Sequence, residues 1–135
     1  NLKELRIETA YLTKDTKIRS TSLEYLKLSY CHIDNDFDFT NFSNAKHVEI
    51  ETMEPISSIS WLGNQQSLRL ITMGYSVIDW SGIGSLRGIP DVIICNAPNL
   101  EDVSALADAE KVTLIGCKNL KDTSVLVNVK NLRIS

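Results

Sequence analysis

A repeat with a period of about twenty residues runs through the whole sequence. The segment NLEDVSAL at 99–106 returns at 119–126 as NLKDTSVL, with Asn, Leu, Asp, Ser and Leu at the same offsets. Apolar triplets of the form L-x-x-L-x-L recur in phase with it, at spacings of 20 to 23 residues. They are Leu2/Leu5/Ile7, Leu23/Leu26/Leu28, Ala45/Val48/Ile50, Leu68/Ile71/Met73, Ile89/Val92/Ile94, Ala109/Val112/Leu114 and Val129/Leu132/Ile134. Triplets in this number indicate an array of equal structural units rather than a duplicated active site.

Each triplet ends in an alternation of apolar and polar residues, as in Leu26-Lys27-Leu28. Such alternation is typical of a short β-strand with one buried face. Other apolar residues, such as Leu100 and Leu106, follow in the middle and at the end of the intervals. One unit cannot bury them alone, whereas stacked units bury them in one continuous column. The sequence therefore predicts a single solenoid domain that spans residues 1–135.

The triplets, with Cys31 and Cys117 three positions after two of them, resemble the L-x-x-L-x-L-x-x-N/C core of the leucine-rich repeat family. The segment GCKNLKDTSVL at 116–126 is similar to short cysteine-containing or internalin-like repeats. The resemblance implies an α/β solenoid of about six to seven repeats. It would carry a parallel β-sheet on the concave face, with loops, 3₁₀ turns or short helices on the convex face. It also implies that protein partners bind on the concave sheet.

The segments between the predicted strands carry local capping signals. Asp102 and Asp122 each precede a serine by two residues, at Ser104 and Ser124, which predicts caps for short helical turns. The stretches 34–43 and 54–67 lack this pattern and are predicted to be irregular returns.

The two ends of the sequence both lie within an apolar triplet, without a polar capping repeat. Solenoids need such caps to cover the last layer of core. We therefore expect a fragment of a longer array, in which flanking domains or subunits contact the uncapped ends.

Composition and charge exclude several classes of partner. The chain has 14 Lys and Arg against 17 Asp and Glu, a net charge of −3, and no basic run exceeds two residues. This pattern argues against a nucleic-acid interface, and no apolar stretch is long enough for a membrane span. Three cysteines without a CxxC pair, Cys31, Cys95 and Cys117, argue against a disulfide framework or zinc site and favour a reducing compartment.

No motif indicates catalysis. The sequence lacks a GxSxG elbow, a phosphate-binding loop and a dinucleotide fingerprint. Asp34, Asp36 and Asp38 have the spacing of a calcium loop, but the places of its Gly and Glu hold Phe39 and Ala45. We therefore predict neither an enzyme nor a metal or cofactor. A glycosylation sequon at Asn41 would be usable only in a secreted protein.

The outward positions of the predicted strands form the candidate partner-binding surface. Aliphatic residues at Leu70, Ile93 and Ile115 beside charged ones are typical of a protein-binding patch. We expect Leu70, Thr72 and Ile93 to anchor the partner, and charged neighbours to orient it. The predicted partner-binding residues are Tyr25, Lys27, His47, Glu49, Leu70, Thr72, Asp91, Ile93, Lys111 and Thr113.

These features favour a non-catalytic protein–protein interaction module. Two alternatives stay open at this point. One is the repeat region of an extracellular adhesin or surface antigen, and the other is a targeting or regulatory arm of a larger enzyme.

Overall fold

The computed structural model describes residues 2–18, 20–40, 42–74 and 77–135. Seven of its strands form one parallel sheet in the order β1-β3-β5-β6-β7-β8-β9, and β2 pairs in parallel with β4. The strands are β1 (Glu4–Glu8), β2 (Tyr11–Leu12), β3 (Tyr25–Ser29), β4 (His32–Ile33), β5 (His47–Thr52), β6 (Ser67–Thr72), β7 (Asp91–Cys95), β8 (Lys111–Ile115) and β9 (Asn131–Ile134).

Every strand of the large sheet pairs with the equivalent strand of the next turn. Leu5 is followed in register by Leu26, Val48, Leu68, Val92, Val112 and Leu132, so that the turns measure 21, 22, 20, 24, 20 and 20 residues. The molecule is therefore a parallel-strand β-solenoid of about six turns. The predicted stacking of repeated units in one parallel sheet is confirmed.

The core is a column of aliphatic side chains that runs the length of the solenoid. Alternation along β3 turns Leu26 and Leu28 inward, where they are 0% and 1% exposed. The return segments close the column from the other side with side chains such as Leu86 and Leu106. Full burial of one such side chain stabilises the fold by roughly 1.5–3 kcal/mol, and neighbouring turns supply most of the contacts.

The return segments contain short 3₁₀ helices, at Trp80–Leu86 (η1), Ser104–Leu106 (η2) and Ser124–Leu126 (η3). Oδ1 of Asp102 accepts the backbone N–H of Ser104 at 2.9 Å, and Oδ1 of Asp122 accepts that of Ser124 at the same distance. The predicted aspartates thus bind the first residue of η2 and η3, although the N-cap positions themselves are Val103 and Thr123 and make no side-chain cap bond. The described residues contain no α-helix, so the α/β description is not confirmed, because turns of this length leave room only for 3₁₀ segments.

The returns of the second and third turns are irregular, as predicted, and pack through aromatic rings. Phe37 contacts Phe39 edge-on with ring centroids 4.9 Å apart, and Phe42 at 5.7 Å. Phe39 stacks on Trp61 at 4.5 Å, with the two planes 8° apart. These rings fill the space that an aliphatic return occupies in the later turns.

Four strands, β1, β3, β7 and β8, are followed directly by a residue with left-handed backbone conformation. The φ angles are 49° at Thr9, 55° at Tyr30, 60° at Asn96 and 68° at Gly116. The N–H of each donates to a carbonyl of the following turn, as from Asn96 to Ile115 at 2.7 Å. The left-handed residue therefore adds one more backbone hydrogen bond between neighbouring turns, after which the chain leaves the sheet.

No helix within the described residues is long and apolar enough to cross a membrane.

Candidate functional site

The solvent-facing side of the large sheet, called the sheet face below, carries three side chains from most strands. Its middle row consists of Arg6, Lys27, Glu49, Arg69, Ile93, Thr113 and Arg133. Eight of the predicted partner-binding residues lie on this face: Tyr25, Lys27, His47, Glu49, Asp91, Ile93, Lys111 and Thr113. Most of them are half-buried, because adjacent strands place their side chains next to one another.

Two predicted residues, Leu70 and Thr72, are not on the sheet face. In β6, Leu70 pairs with Ile50 of the neighbouring strand and points into the core. Leu70 is 1% exposed and Thr72 is 2% exposed, and the Thr72 hydroxyl donates to the backbone carbonyl of Asn96. The prediction that these two residues anchor a partner is therefore wrong. Arg69 and Ile71 occupy the outward positions instead.

The outward positions of β6 were predicted wrongly because of Gln65. This residue fills the first position of the fourth L-x-x-L-x-L triplet, where other turns carry Leu, Ala, Ile or Val. It is 3% exposed, and its side chain accepts the N–H of Gly63 at 2.7 Å and donates to the carbonyl of Ser43 at 2.9 Å. A buried polar side chain is tolerated when its hydrogen bonds are made. An apolar pattern cannot reveal it.

The amino-terminal half of the sheet face is a network of opposite charges around Glu49. The hydroxyl of Tyr25 donates to Glu49 at 3.0 Å, and the ammonium of Lys27 and the guanidinium of Arg69 lie 3.5 and 3.8 Å from the same carboxylate. Burial raises the pKa of Glu49, but the Tyr25 hydrogen bond and the two cations outweigh burial, so the pKa falls below its ordinary value. Burial, followed by the bond to Glu49, raises the pKa of Tyr25.

Next to this network lies a depression of about 140 Å³ over β5, β6 and β7. Nδ1 of His47 lies 2.7 Å from the hydroxyl oxygen of Ser67 within it. Asp91 also lines the depression, and its buried Oδ1 has no hydrogen-bond partner among the described residues. The predicted residues His47, Glu49, Asp91 and Ile93 therefore meet around one concavity.

The carboxy-terminal half of the sheet face is apolar with a basic border. Ile71, Ile93 and Ile115 are partly exposed there. A second depression, of about 460 Å³, adjoins the first and shares Arg69 and Ile93 with it. It is lined by Arg69, Ile93, Cys95, Lys111, Thr113, Ile115, Asn131, Leu132 and Arg133. None of these lining residues is acidic, so the depression offers aliphatic contacts flanked by cations. Of these cations, Arg69 also lies 3.8 Å from Glu49, and Lys111 is the register partner of Asp91.

The cysteines offer little nucleophilic chemistry. All three are free thiols. Burial raises the pKa of Cys95, although Arg69 and Arg133 oppose it, and burial also raises the pKa of Cys117. A raised pKa keeps the thiol protonated, and the thiolate is the reactive form.

The remaining motifs do not assemble into a metal site among the described residues, where no three His, Cys, Asp or Glu side chains could hold an ion together. Asp38 instead binds Thr40 of its own turn through a backbone N–H at 2.9 Å and the hydroxyl. Asn41, the sequon position, lies outside the described residues.

Comparison with known proteins finds no match to the chain among protein-family models, curated proteins or solved structures.

Proposed function

We propose that this chain is a non-catalytic interaction module that binds a protein partner on the sheet face. The observation that carries the proposal is the set of partly exposed isoleucines on the sheet face, Ile71, Ile93 and Ile115. Of these, Ile93 lines both depressions and Ile115 lines the second. Partly exposed aliphatic side chains beside charged ones are the usual composition of a protein-binding surface. A rigid parallel sheet also holds these side chains in place, which lowers the entropy cost of binding.

The charge distribution supports a division of roles on this surface. Around Glu49, carboxylate and cations neutralise one another within the chain. The second depression, which Ile93 shares, has the cations Lys111 and Arg133 and no acidic residue in its lining, although Asp91 is the register partner of Lys111. A partner that presents an aliphatic side chain with adjacent carboxylates fits the second region, and the network around Glu49 would set its orientation.

Assignment to the leucine-rich repeat family is part of this proposal. It is supported by the in-register pairing of L-x-x-L-x-L residues, as between Leu26 and Val48. Burial of Cys31 at the N/C position of the second unit supports it as well, since a small side chain fits inside that turn.

A paired substitution tests the proposal. Ile93→Asp places a charge in the centre of the patch, whereas Val127→Asp makes the same kind of change at an exposed residue after η3. In affinity capture from the cells that make the protein, we expect a partner to be recovered with the wild type and Val127→Asp but not with Ile93→Asp. Equal recovery with Ile93→Asp, while its circular dichroism spectrum is native, would contradict the proposal.

A further inference from the structure

A third concavity lies away from the sheet face, where β1, β3 and β5 end. It has a volume of about 340 Å³ and is called the tyrosine notch below. Its wall includes three exposed large hydrophobic side chains: Tyr11 at 76%, Met53 at 63% and Tyr30 at 41%. The notch is lined by Thr9, Ala10, Tyr11, Tyr30, His32, Met53 and Glu54.

The exposed large apolar side chains of the notch are clustered. Leu2, Leu132 and Ile134 are also exposed and lie in the first or last turn, and Val127 follows η3. At the notch, three such residues line one concavity. Clustered exposed apolar side chains mark an interaction site more often than single ones.

Tyr30, in the lining of the notch, has a backbone conformation that is unfavourable for a tyrosine. It has a φ of 55°, in the left-handed region that bulky residues avoid. The equivalent residue after β8 is Gly116, which adopts the same conformation without a side-chain penalty. A strained residue that the fold could replace by glycine is a reason to look for a functional role of its side chain.

The charge of the notch selects the kind of ligand. Glu54 lines it, and its Oε2 lies 3.7 Å from Nδ1 of His32, while Nε2 of His32 lies 3.1 Å from Asp34. No lysine or arginine is among the lining residues. The rings of Tyr11 and His32 are tilted by 47° with centroids 5.4 Å apart, so they form two walls of an open corner.

Aromatic walls beside a carboxylate attract a planar cation. A guanidinium stacks on aromatic faces and can donate two hydrogen bonds to one carboxylate, whereas an ammonium is a compact and strongly hydrated charge. The chain itself uses this contact elsewhere, where Cζ of Arg6 lies 4.9 Å above the ring of Tyr25. The flexible thioether of Met53 is suited to cover the aliphatic stem of such a side chain.

We propose that the tyrosine notch binds an arginine side chain of a partner protein. Its guanidinium stacks against the aromatic lining that Tyr11 and Tyr30 contribute and pairs with Glu54. This contact does not depend on binding at the sheet face, because the two surfaces share no lining residue.

Site-resolved NMR of the full chain provides the test, with N-acetyl-arginine methylamide as the probe and the equivalent citrulline compound as its uncharged isostere. A single side chain in an open notch binds weakly, in the millimolar range or above. The experiment therefore records which NMR signals of the chain shift on addition of the probe, and it does not require the site to be saturated. We expect the arginine probe to shift the ring signals of Tyr11 and Tyr30 and the methyl signal of Met53.

The same titration on variants separates the notch from general attraction to an acidic chain. We expect Glu54→Gln to reduce the shift per unit of probe by about tenfold, and Glu101→Gln, which changes an exposed carboxylate paired with Lys121, to leave it unchanged. Tyr30→Gly should also reduce it while preserving the left-handed turn. Equal shifts with citrulline, shifts spread over the whole surface, or an unchanged response of Glu54→Gln would each overturn the proposal.

Discussion

The hydroxyl of Tyr25 donates a 3.0 Å hydrogen bond to Glu49 of the next turn, which ties two units of the solenoid together on the sheet face. Lys27 also lies within 3.5 Å of that carboxylate and within 3.7 Å of Glu51. Solenoid units contact only their neighbours, so such ties between turns add to the stability of the array. They also hold the orienting half of the proposed binding surface rigid.

The first prediction concerns the pH dependence of stability. The pKa of Glu49 lies below its ordinary value of 4.5 in the folded chain, so the unfolded chain binds this proton more readily. The contribution to the free energy of unfolding is therefore fully present above that value and is lost as the pH falls through the folded pKa. Urea unfolding at a series of pH values should show Glu49→Gln less stable at neutral pH and less sensitive to acid than the wild type.

A control for that series is Glu101→Gln, which alters an exposed carboxylate on the return side. It should leave both stability and its pH dependence close to those of the wild type, because exposed ion pairs contribute little. If Glu49→Gln and Glu101→Gln gave the same curves, the Tyr25–Glu49 tie would be without energetic effect.

The second prediction tests the register of β6 directly. Leu70 is 1% exposed and Ile71 is partly exposed on the opposite side of the strand. Leu70→Ala should lower the free energy of unfolding by roughly 2–5 kcal/mol because it opens a cavity in the core. Ile71→Ala should lower the free energy of unfolding by about 1 kcal/mol or less. Chemical denaturation measures both, and the reverse order of the two effects would show the strand turned over.

The third prediction concerns the left-handed turns. Gly116 has a φ of 68°, and a Cβ added there would lie 2.7 Å from Oδ1 of Asn96 in the preceding turn. Gly116→Ala should therefore destabilise the chain by about 1–2 kcal/mol. Gly84 in η1 is the matched control, since an added Cβ there meets nothing within 4 Å. Thermal or urea unfolding should separate the two variants, and equal stabilities would argue against the left-handed geometry at Gly116.

Much of the fold could be predicted from the sequence because most units carry a complete apolar triplet. The triplet ending in Val92 and Ile94 places Ile93 on the sheet face, and the structure agrees. The fourth unit could not be placed correctly, because Gln65 substitutes two hydrogen bonds for apolar burial. Assigning Leu68 to the first position of the triplet shifts the predicted register by three residues. The pattern then places Leu70 and Thr72 on the sheet face instead of Arg69 and Ile71.

The tyrosine notch also could not be predicted from the repeat pattern. Tyr11, Tyr30 and Met53 lie 19 and 23 residues apart along the chain, and they meet only because successive turns stack in register. Their exposure could not be inferred either, since a tyrosine or methionine at such a position is as compatible with the core as with solvent. The signal that remains in the sequence is the place of Tyr30, where the last complete turn has Gly116.

Site-specific photo-crosslinking in the cells that make the protein tests the central claim, that a partner binds on the sheet face. In one variant a photoreactive residue replaces exposed Lys111, which lines the second depression together with Ile93. In another it replaces exposed Val127 on a return segment. We predict a discrete protein adduct at position 111, which disappears when Ile93→Asp is added, and no such adduct at position 127. An adduct at 127 alone, or one at 111 that survives Ile93→Asp, would contradict it.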